Sequence, residues 1–356
     1  MNGLHRLVGL GFLLIAAGAA TACDGDDPQG TGGGGATGPG SGGSGGETTS
    51  STMSGGGGGT GGSDGVGGGG GGTGGGGGSP PECDMLPAGP LDAVEWMSGL
   101  DGSEDFAFDG KGHIAARQGD DVVLVDAAQQ VTTLASAQDP SYGMRFRADG
   151  SLLLARPSQG TIAEITPAGV VSQYAAGLQT PNGLYPDSQG NVWVTEFGGD
   201  QVSRINPDKS VDSVVSGSAV VSSPNGIVFD EKRSVLFYTN YGAGEIMRVN
   251  LAPGGDPTPT LVSTINGALD GLVLDACGNL YVVDNGYNRL YRVRLDPGGI
   301  ALGEAELLAS FPSSVANAQF GSGQGFEPMS LYVAGAEGSI YAVQVGVPGA
   351  PVPTAP

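Results

Sequence analysis

A pattern that restarts about every forty residues is the feature that most constrains the fold of this chain. From residue 103 onward, a short apolar strand, a turn such as "DSQGN" or "DACGN" and further β-rich segments recur six times. Periods near forty residues with short strands are typical of propeller blades. No segment between residues 90 and 345 has a sustained helical period. The sequence therefore predicts an all-β, six-bladed β-propeller with four-stranded blades.

The sixth unit ends soon after "SIYAVQV" and is too short to contain its own outermost strand. "LDAVEWMSGL", residues 91–100, could supply that strand. This pairing would join the two ends of the propeller and leave no free sheet edge. We therefore expect the propeller to span residues 83–346, followed by a Pro-rich, disordered tail over residues 347–356.

The residues before the propeller predict export and a tether. Residues 1–22 contain an apolar run too short to span a bilayer, which is typical of a secretory signal. The small residues of "ATAC" resemble a bacterial lipobox, which would place lipid on Cys23, although the same letters also fit ordinary cleavage and free secretion. Residues 23–82 are rich in Gly and Ser and predict a disordered tether. We expect a lipid-anchored protein of the cell envelope or cell surface, whose lipid is its contact with the membrane.

If Cys23 carries lipid, Cys83 and Cys277 remain in a compartment where disulfides persist. A bond between them would pin the first segment of the propeller to its body, and two separate thiols are the alternative. The chain has 14 Lys and Arg against 36 Asp and Glu, a formal net charge of -22. This charge repels nucleic acid and anionic lipid and favours the binding of cations.

Each repeat has its hairpin turn downstream of its first residue, so the Asn-Gly pair at residues 225–226 is not needed as a hairpin turn. In a propeller, the starts of the inner strands converge on the axis at one face. Six heading residues would then ring one point, and the Gly after several of them would let the backbone turn sharply. They are Glu104, Tyr142, Asn182, Asn225, Asp270 and Asn317. Two carboxylates and two or more amides suit Ca²⁺, with Mg²⁺, Mn²⁺ or Zn²⁺ left open.

The repeats resemble those of the regucalcin, gluconolactonase and luciferin-regenerating-enzyme family over roughly residues 100–345. The resemblance implies a six-bladed propeller with one divalent cation in the central channel. It rests on a Glu in the first blade, an Asn in "NG", an Asp in "DG" and a further Asn. In this sequence the implied metal ligands are Glu104, Asn225, Asp270 and Asn182.

In hydrolytic members of that family the cation polarises the carbonyl of a lactone or ester, and an acid on the metal serves as base. The resemblance implies that Asp270 is this base and that Glu196, at the end of "VWVTE", contacts substrate. Tyr142 and Asn317 lie next to the implied ligands and complete the predicted substrate site. Two departures concern specificity: Thr180 stands where sugar-lactone hydrolases place an Arg, and Tyr142 stands where the related paraoxonases place a His.

A second resemblance concerns "GNVWVTEFGGDQVSRINPDKS", which is similar to a blade of the streptogramin lyases. Those lyases use a His and Glu constellation on a metal, in a seven-bladed ring. His113 is the one His of the predicted propeller and lies beside a turn. With His113 assigned to a turn and no other imidazole in the propeller, a Ser-His-Asp triad and an ordinary catalytic zinc site each lack a component. We therefore expect shared blade architecture, with lyase activity as a lesser alternative.

The sequence thus predicts a calcium-dependent hydrolase of a lactone or small ester, monomeric and tethered to the envelope. A different class of function stays open, because a fold does not fix a function. In this alternative the cation only stabilises the channel, and the propeller binds a protein or a glycan without catalysis.

Overall fold

The computed structural model of the protein describes residues 83–101, 104–136, 138–335 and 337–351. The predicted signal peptide, the predicted tether and the predicted lipid attachment at Cys23 lie outside this part of the chain. Among the residues that the structure describes, no helix is both long and apolar enough to cross a bilayer.

The described strands form six four-stranded antiparallel sheets arranged as a six-bladed β-propeller, which confirms the predicted fold. Blade 1 contains β2 (Ala107–Phe108), β3 (His113–Gln118), β4 (Asp121–Asp126) and β5 (Val131–Ala135). Blade 2 contains β6 (Met144–Phe146), β7 (Leu152–Arg156), β8 (Thr161–Ile165) and β9 (Val171–Ala176). Blade 3 contains β10 (Pro181–Pro186), β11 (Val192–Glu196), β12 (Gln201–Ile205) and β13 (Val211–Ser216).

The second half of the ring repeats this order. Blade 4 contains β14 (Pro224–Asp230), β15 (Val235–Asn240), β16 (Glu245–Asn250) and β17 (Thr260–Thr264). Blade 5 contains β18 (Leu269–Leu274), β19 (Leu280–Asp284), β20 (Arg289–Val293) and β21 (Glu306–Ser310). Blade 6 contains β22 (Val315–Phe320), β23 (Ser330–Gly335), β24 (Ile340–Gln344) and β1 (Ala93–Met97). Single 3-10 turns occupy Cys83–Met85 and Pro157–Gln159.

The ring closes through β1, which comes from the start of the propeller and forms the outer strand of blade 6. Ala93 pairs with Val343 and Val94 with Ala342 in an antiparallel ladder. This confirms the closure predicted from "LDAVEWMSGL". The hydrogen bonds of β24 are thereby satisfied by a strand more than 240 residues away, so the two ends of the propeller depend on each other.

Asp side chains hold the hairpin turns between inner and second strands. In blade 3, Asp187 accepts hydrogen bonds from the backbone N and from Nδ2 of Asn191, both at 2.8 Å. His113 takes the Asn place in blade 1, and its backbone N and Nδ1 each lie 2.9 Å from the Asp109 carboxylate. His113 is therefore a turn residue, as the sequence predicted. These turns leave the Asn-Gly pairs free for another purpose.

The predicted disordered tail over residues 347–356 is wrong for its first part. Val347 is fully buried, the Pro348 carbonyl accepts a hydrogen bond from Ala276 N at 2.9 Å, and Ala350 N donates to Leu274 O at 2.9 Å. Alternate apolar residues continue the pattern of β24 and anchor this segment against blade 5, despite its Pro-rich composition. The packed region therefore extends to residue 351, and residues 352–356 lie outside the described part.

A disulfide joins Cys83, the first described residue, to Cys277 in the turn between β18 and β19. The Cα atoms lie 5.6 Å apart, and the two residues are separated by 194 positions in the sequence. The bond therefore closes a loop that contains most of the propeller. The same turn is held by the C-terminal segment, so both ends of the described chain are fixed to blade 5.

Removing this bond should destabilise the fold. Because the bond closes a long loop and restricts the unfolded chain, we expect Cys83→Ser with Cys277→Ser to lower the free energy of unfolding by about 2–5 kcal/mol. Urea unfolding of the full chain, with and without reductant, measures this difference. Equal midpoints for the variant and the oxidised protein would show that the bond contributes no stability.

Candidate metal centre

The heading residues of the repeats lie at the start of the inner strands. Asn225 is the second residue of β14, and Asn182 and Asp270 hold the same place in β10 and β18, whereas Asn317 is the third residue of β22, one place later. Asn225 therefore belongs to a strand and not to a hairpin turn. Glu104 and Tyr142 lie in the segments that lead into the shorter inner strands β2 and β6.

Glycines next to these residues let neighbouring inner strands approach closely. A Cβ atom on Gly183 would lie less than 3.0 Å from the carbonyl oxygen of Asn225, and one on Gly226 equally close to that of Asp270. Gly143 repeats this contact with the carbonyl oxygen of Asn182, whereas Gly271 lies against the side-chain amide and Cα of Asn317. None of these four glycines has a positive φ. The sharp turn expected from the sequence is therefore wrong, and the glycines serve a close backbone contact instead.

Two buried threonines bridge neighbouring blades at these contacts. Thr195 Oγ1 accepts a hydrogen bond from Gly183 N at 2.8 Å and donates to Asn225 O at 2.5 Å. Thr239 Oγ1 accepts from Gly226 N at 2.8 Å and donates to the Asp270 carbonyl at 3.1 Å. The strand registers shift at the same points, so the hydroxyls replace missing ladder partners. The repeat pattern alone did not reveal these two residues, although "VWVTE" and "LFYTN" each contain a Thr at the same place.

Two carboxylates of the ring repel each other. Burial, followed by the charge of Asp105, raises the pKa of Glu104 to about 7. Burial, followed by the charges of Glu104 and Asp105, raises the pKa of Asp270 well above its usual range. Both groups therefore hold protons at pH values where an exposed carboxyl is ionised. A bound cation would reverse this preference.

Two oxygen atoms of the ring are buried without a hydrogen-bond partner among the described residues: Asn225 Oδ1 and Asp270 Oδ1. Both side chains are 3% exposed. Buried acceptors are nearly always paired in proteins, so two unpaired acceptors at one ring indicate a missing partner. A cation fits better than a donor side chain, because one of the two oxygens belongs to a carboxylate.

The chemistry of the ring fits a hard cation that accepts amide oxygens. In the described part of the chain, no three His, Cys, Asp or Glu residues converge on one point. The ligands would thus be the Glu104 and Asp270 carboxylates with the Asn182 and Asn225 amides. Ca²⁺ accepts such mixed oxygen ligands with added water, whereas structural zinc prefers Cys and His.

Two tyrosines lie beside the ring. The pKa of Tyr142 is raised by burial and then by Glu104. The pKa of Tyr241 is raised to about 12 by burial, then by Asp270 and Glu104. The Tyr241 hydroxyl donates to Asn285 Oδ1 at 2.7 Å, which fixes its orientation. The sequence predicted Tyr142 at this place. It did not point to Tyr241, because a Tyr at the end of a strand is equally well explained as a turn residue.

A buried ion pair lies behind the ring. Asp105 Oδ2 accepts hydrogen bonds from Met144 N at 2.9 Å and from Arg145 Nη1 at 2.5 Å. Asp105 is 1% exposed, and its charge acts on both ring carboxylates. Arg145 offsets part of that charge and so limits the total repulsion. Neither Asp105 nor Arg145 stands out in the sequence pattern.

Glu196, predicted to contact substrate, has its carboxylate occupied by its own blade. It accepts hydrogen bonds from Gln179 N at 2.6 Å, from Gln201 Nε2 at 2.8 Å and from Ser203 Oγ. Asp284, at the same place in blade 5, likewise accepts from Ala268 N at 3.0 Å. These strand-end residues hold the loops that enter the inner strands. A substrate contact by Glu196 or Asn317 stays a prediction.

Solved structures with the same architecture include a gluconolactonase from Xanthomonas campestris. It has a TM-score of 0.57 and 18% identity, with 76% of this chain and 97% of that chain covered. The fold is that of the gluconolactonase and regucalcin propellers. Regucalcin from Agrobacterium tumefaciens, described as a calcium-binding protein, has a TM-score of 0.60 and 17% identity over 76% of this chain and all of its own.

The same comparison finds virginiamycin B lyase from Staphylococcus aureus, with a TM-score of 0.51 and 14% identity over 71% of this chain and 98% of that chain. No protein-family profile matches the sequence, and no curated protein matches it. At such identities the likeness shows the fold. His113 holds a turn with Asp109, so the described residues place no His in the ring.

The close contact at Gly226 predicts a large effect of a single methyl group. Gly226→Ala would drive a Cβ into the Asp270 carbonyl, so we expect a loss of about 1–3 kcal/mol in the free energy of unfolding. Gly242→Ala is the matched control, because its Cβ would meet no atom within 4 Å. Urea unfolding compares the two variants. Equal stability would contradict the close approach of the inner strands.

The raised pKa of Glu104 predicts how pH affects the metal-free protein. The carboxyl titrates near 4.5 when unfolded and at about 7 when folded. Between these values the folded state binds more protons, so the free energy of unfolding falls as pH rises. We expect the melting temperature in EDTA to fall across this window, and less so in Glu104→Gln. Ca²⁺ should stabilise the protein most above this pH window. If the melting temperature of Glu104→Gln depended on pH in the same way as that of the unchanged protein, the raised pKa of Glu104 would be contradicted.

Proposed function

We propose that the protein is a calcium-dependent hydrolase of a lactone or small ester. The observation that carries the proposal is the ring with two mutually repelling carboxylates and two unpartnered acceptors, Asn225 Oδ1 and Asp270 Oδ1. The likeness in fold to a gluconolactonase and to a calcium-binding regucalcin supports the choice of substrate and cation.

The residues of the ring divide into two roles in this proposal. Glu104, Asn182, Asn225 and Asp270 hold the cation, which would polarise the carbonyl of the substrate. Their positions are fixed by backbone contacts and by Thr195 and Thr239, so little reorganisation is needed during the reaction. The Tyr142 hydroxyl, beside Glu104, would orient an oxygen atom of the substrate, whereas the Tyr241 hydroxyl donates its hydrogen to Asn285 Oδ1 and could only accept a hydrogen bond.

Asp270 carries the proton transfer in this mechanism. Its carboxylate accepts a proton from water, the water oxygen forms a bond to the carbonyl carbon, and the carbon bond to the ester or ring oxygen breaks. The departing oxygen takes the proton back from Asp270, which gives a hydroxy acid from a lactone. Burial and the charge of Glu104 raise the pKa of Asp270, which makes its carboxylate a stronger base.

Aromatic side chains near the ring favour a substrate with an apolar part. The aromatic side chain of Phe197 packs edge-on against that of Tyr241, with centroids 5.8 Å apart. Thr180, where sugar-lactone hydrolases place an Arg, lies against Gly198 in the turn between β11 and β12. We therefore propose alkyl- or aryl-substituted lactones and esters in preference to sugar lactones.

Asp270→Asn tests the proposed reaction. The full chain would be assayed on an alkyl lactone, an aryl ester and gluconolactone in EDTA, Ca²⁺, Mg²⁺, Mn²⁺ or Zn²⁺. We expect metal-dependent turnover that falls about 100-fold or more in the variant, because proton transfer is lost. Asp212→Asn, on an exposed outer strand, is the matched control.

The same assay separates the alternatives. Stabilisation by metal without turnover of any lactone or ester would favour the non-catalytic binding propeller. An Asp270→Asn variant with unchanged turnover would remove Asp270 from the mechanism. An absence of any metal response would contradict the ring itself as a cation site.

We also propose that the protein is exported and anchored through lipid on Cys23. The signal pattern supports this, and so does the disulfide between Cys83 and Cys277, because disulfides persist in exported proteins. The full chain, expressed in a bacterium, should partition into the detergent phase of a Triton X-114 extract. Cys23→Ala should move it to the aqueous phase, and equal partitioning of the two proteins would contradict the anchor.

A further inference from the structure

A mainly apolar cavity lies at the end of the inner strands opposite to the ring of heading residues. It has a volume of about 360 Å³ and lies between the C-terminal ends of the inner strands. Its walls are mainly apolar and aromatic, and they include Phe108, Phe146, Tyr185, Ile227, Leu272 and Phe320. This size and composition fall within the range of small-molecule sites in proteins.

The C-terminal segment forms one wall of this cavity. Residues 348–351 line it, and their backbone is held by hydrogen bonds to Leu274 and Ala276. The cavity is thus a formed feature of the folded chain, and it does not depend on the ring or on the proposed hydrolysis.

One charged side chain lines the cavity, and the described residues do not use all of its hydrogen-bond donors. Arg145 Nη1 donates to Asp105 Oδ2 and to Met144 O. Its Nε and Nη2 make no hydrogen bond to any residue that the structure describes. These two atoms form one edge of the guanidinium, which binds a carboxylate through two parallel hydrogen bonds. The Arg145 side chain is only 14% exposed, so such a contact would be shielded from water.

An apolar pocket with one guanidinium edge selects a narrow class of ligand. The apolar walls favour an alkyl or aryl group, and the Arg145 edge favours a carboxylate at one end of it. Ser322 and Gln319, which also line the cavity, add polar atoms. We propose that this cavity binds a small carboxylic acid with an apolar body, such as a medium-chain fatty acid.

Calorimetric titration of the full chain with decanoate, in EDTA, tests the proposal. We expect one saturable site. Val273→Trp should fill the cavity and weaken binding at least about tenfold, because Val273 lines it. Val170→Trp carries the same substitution at a position that is 62% exposed, outside the cavity, and should bind as the unchanged protein does. Asp270→Asn should also leave decanoate binding unchanged, because the ring lies at the other end of the strands.

The role of Arg145 is tested with 1-decanol, which has the same chain without the carboxylate. We expect decanoate to bind at least about tenfold more tightly than 1-decanol, and Arg145→Met to remove that difference. Val273→Trp keeps the test decisive if Arg145→Met fails to fold. No saturable binding up to about 1 mM, unchanged affinity in Val273→Trp, or equal affinities for decanoate and 1-decanol would each overturn the proposal.

Discussion

The close backbone contact between neighbouring inner strands is the constraint on which the rest of this structure depends. Gly183 and Gly226 leave no room for a Cβ against the carbonyl oxygens of Asn225 and Asp270. Because the strands touch there, the residues at their starts are held close to one another. Thr195 and Thr239 then supply the hydrogen bonds that the distorted strand ladders lack. The proposed cation site would thus be a consequence of how the blades pack.

This convergence has an electrostatic cost that a cation would remove. Burial and the charge of Asp105 raise the pKa of Glu104, and burial with the charges of Glu104 and Asp105 raises the pKa of Asp270. The ion pair of Asp105 with Arg145 offsets one further charge behind them. A site that is unfavourable when it holds only carboxylates gains stability from any cation that binds the folded state alone. The same charges that destabilise the metal-free protein would therefore provide the proposed affinity for metal.

Much of the fold could be predicted from the sequence, because the repeat, its period and the short sixth unit are properties of pattern. The heading residues were found for the same reason. Other features depend on packing that no local pattern reveals. Thr195 resembles any strand Thr, and the Pro-rich letters after residue 346 conceal Val347, which the structure buries completely. Glu196 stood at a suggestive strand end, yet its carboxylate is occupied by neighbours in its own blade.

The central claim is that the ring binds one divalent cation, and a calorimetric titration of the metal-free full chain with Ca²⁺ tests it most directly. We expect one ion per chain, and loss of that binding when Asn225→Ala is combined with Asp270→Asn. Binding that persists unchanged in the double variant, or no binding by the unchanged protein, would contradict it.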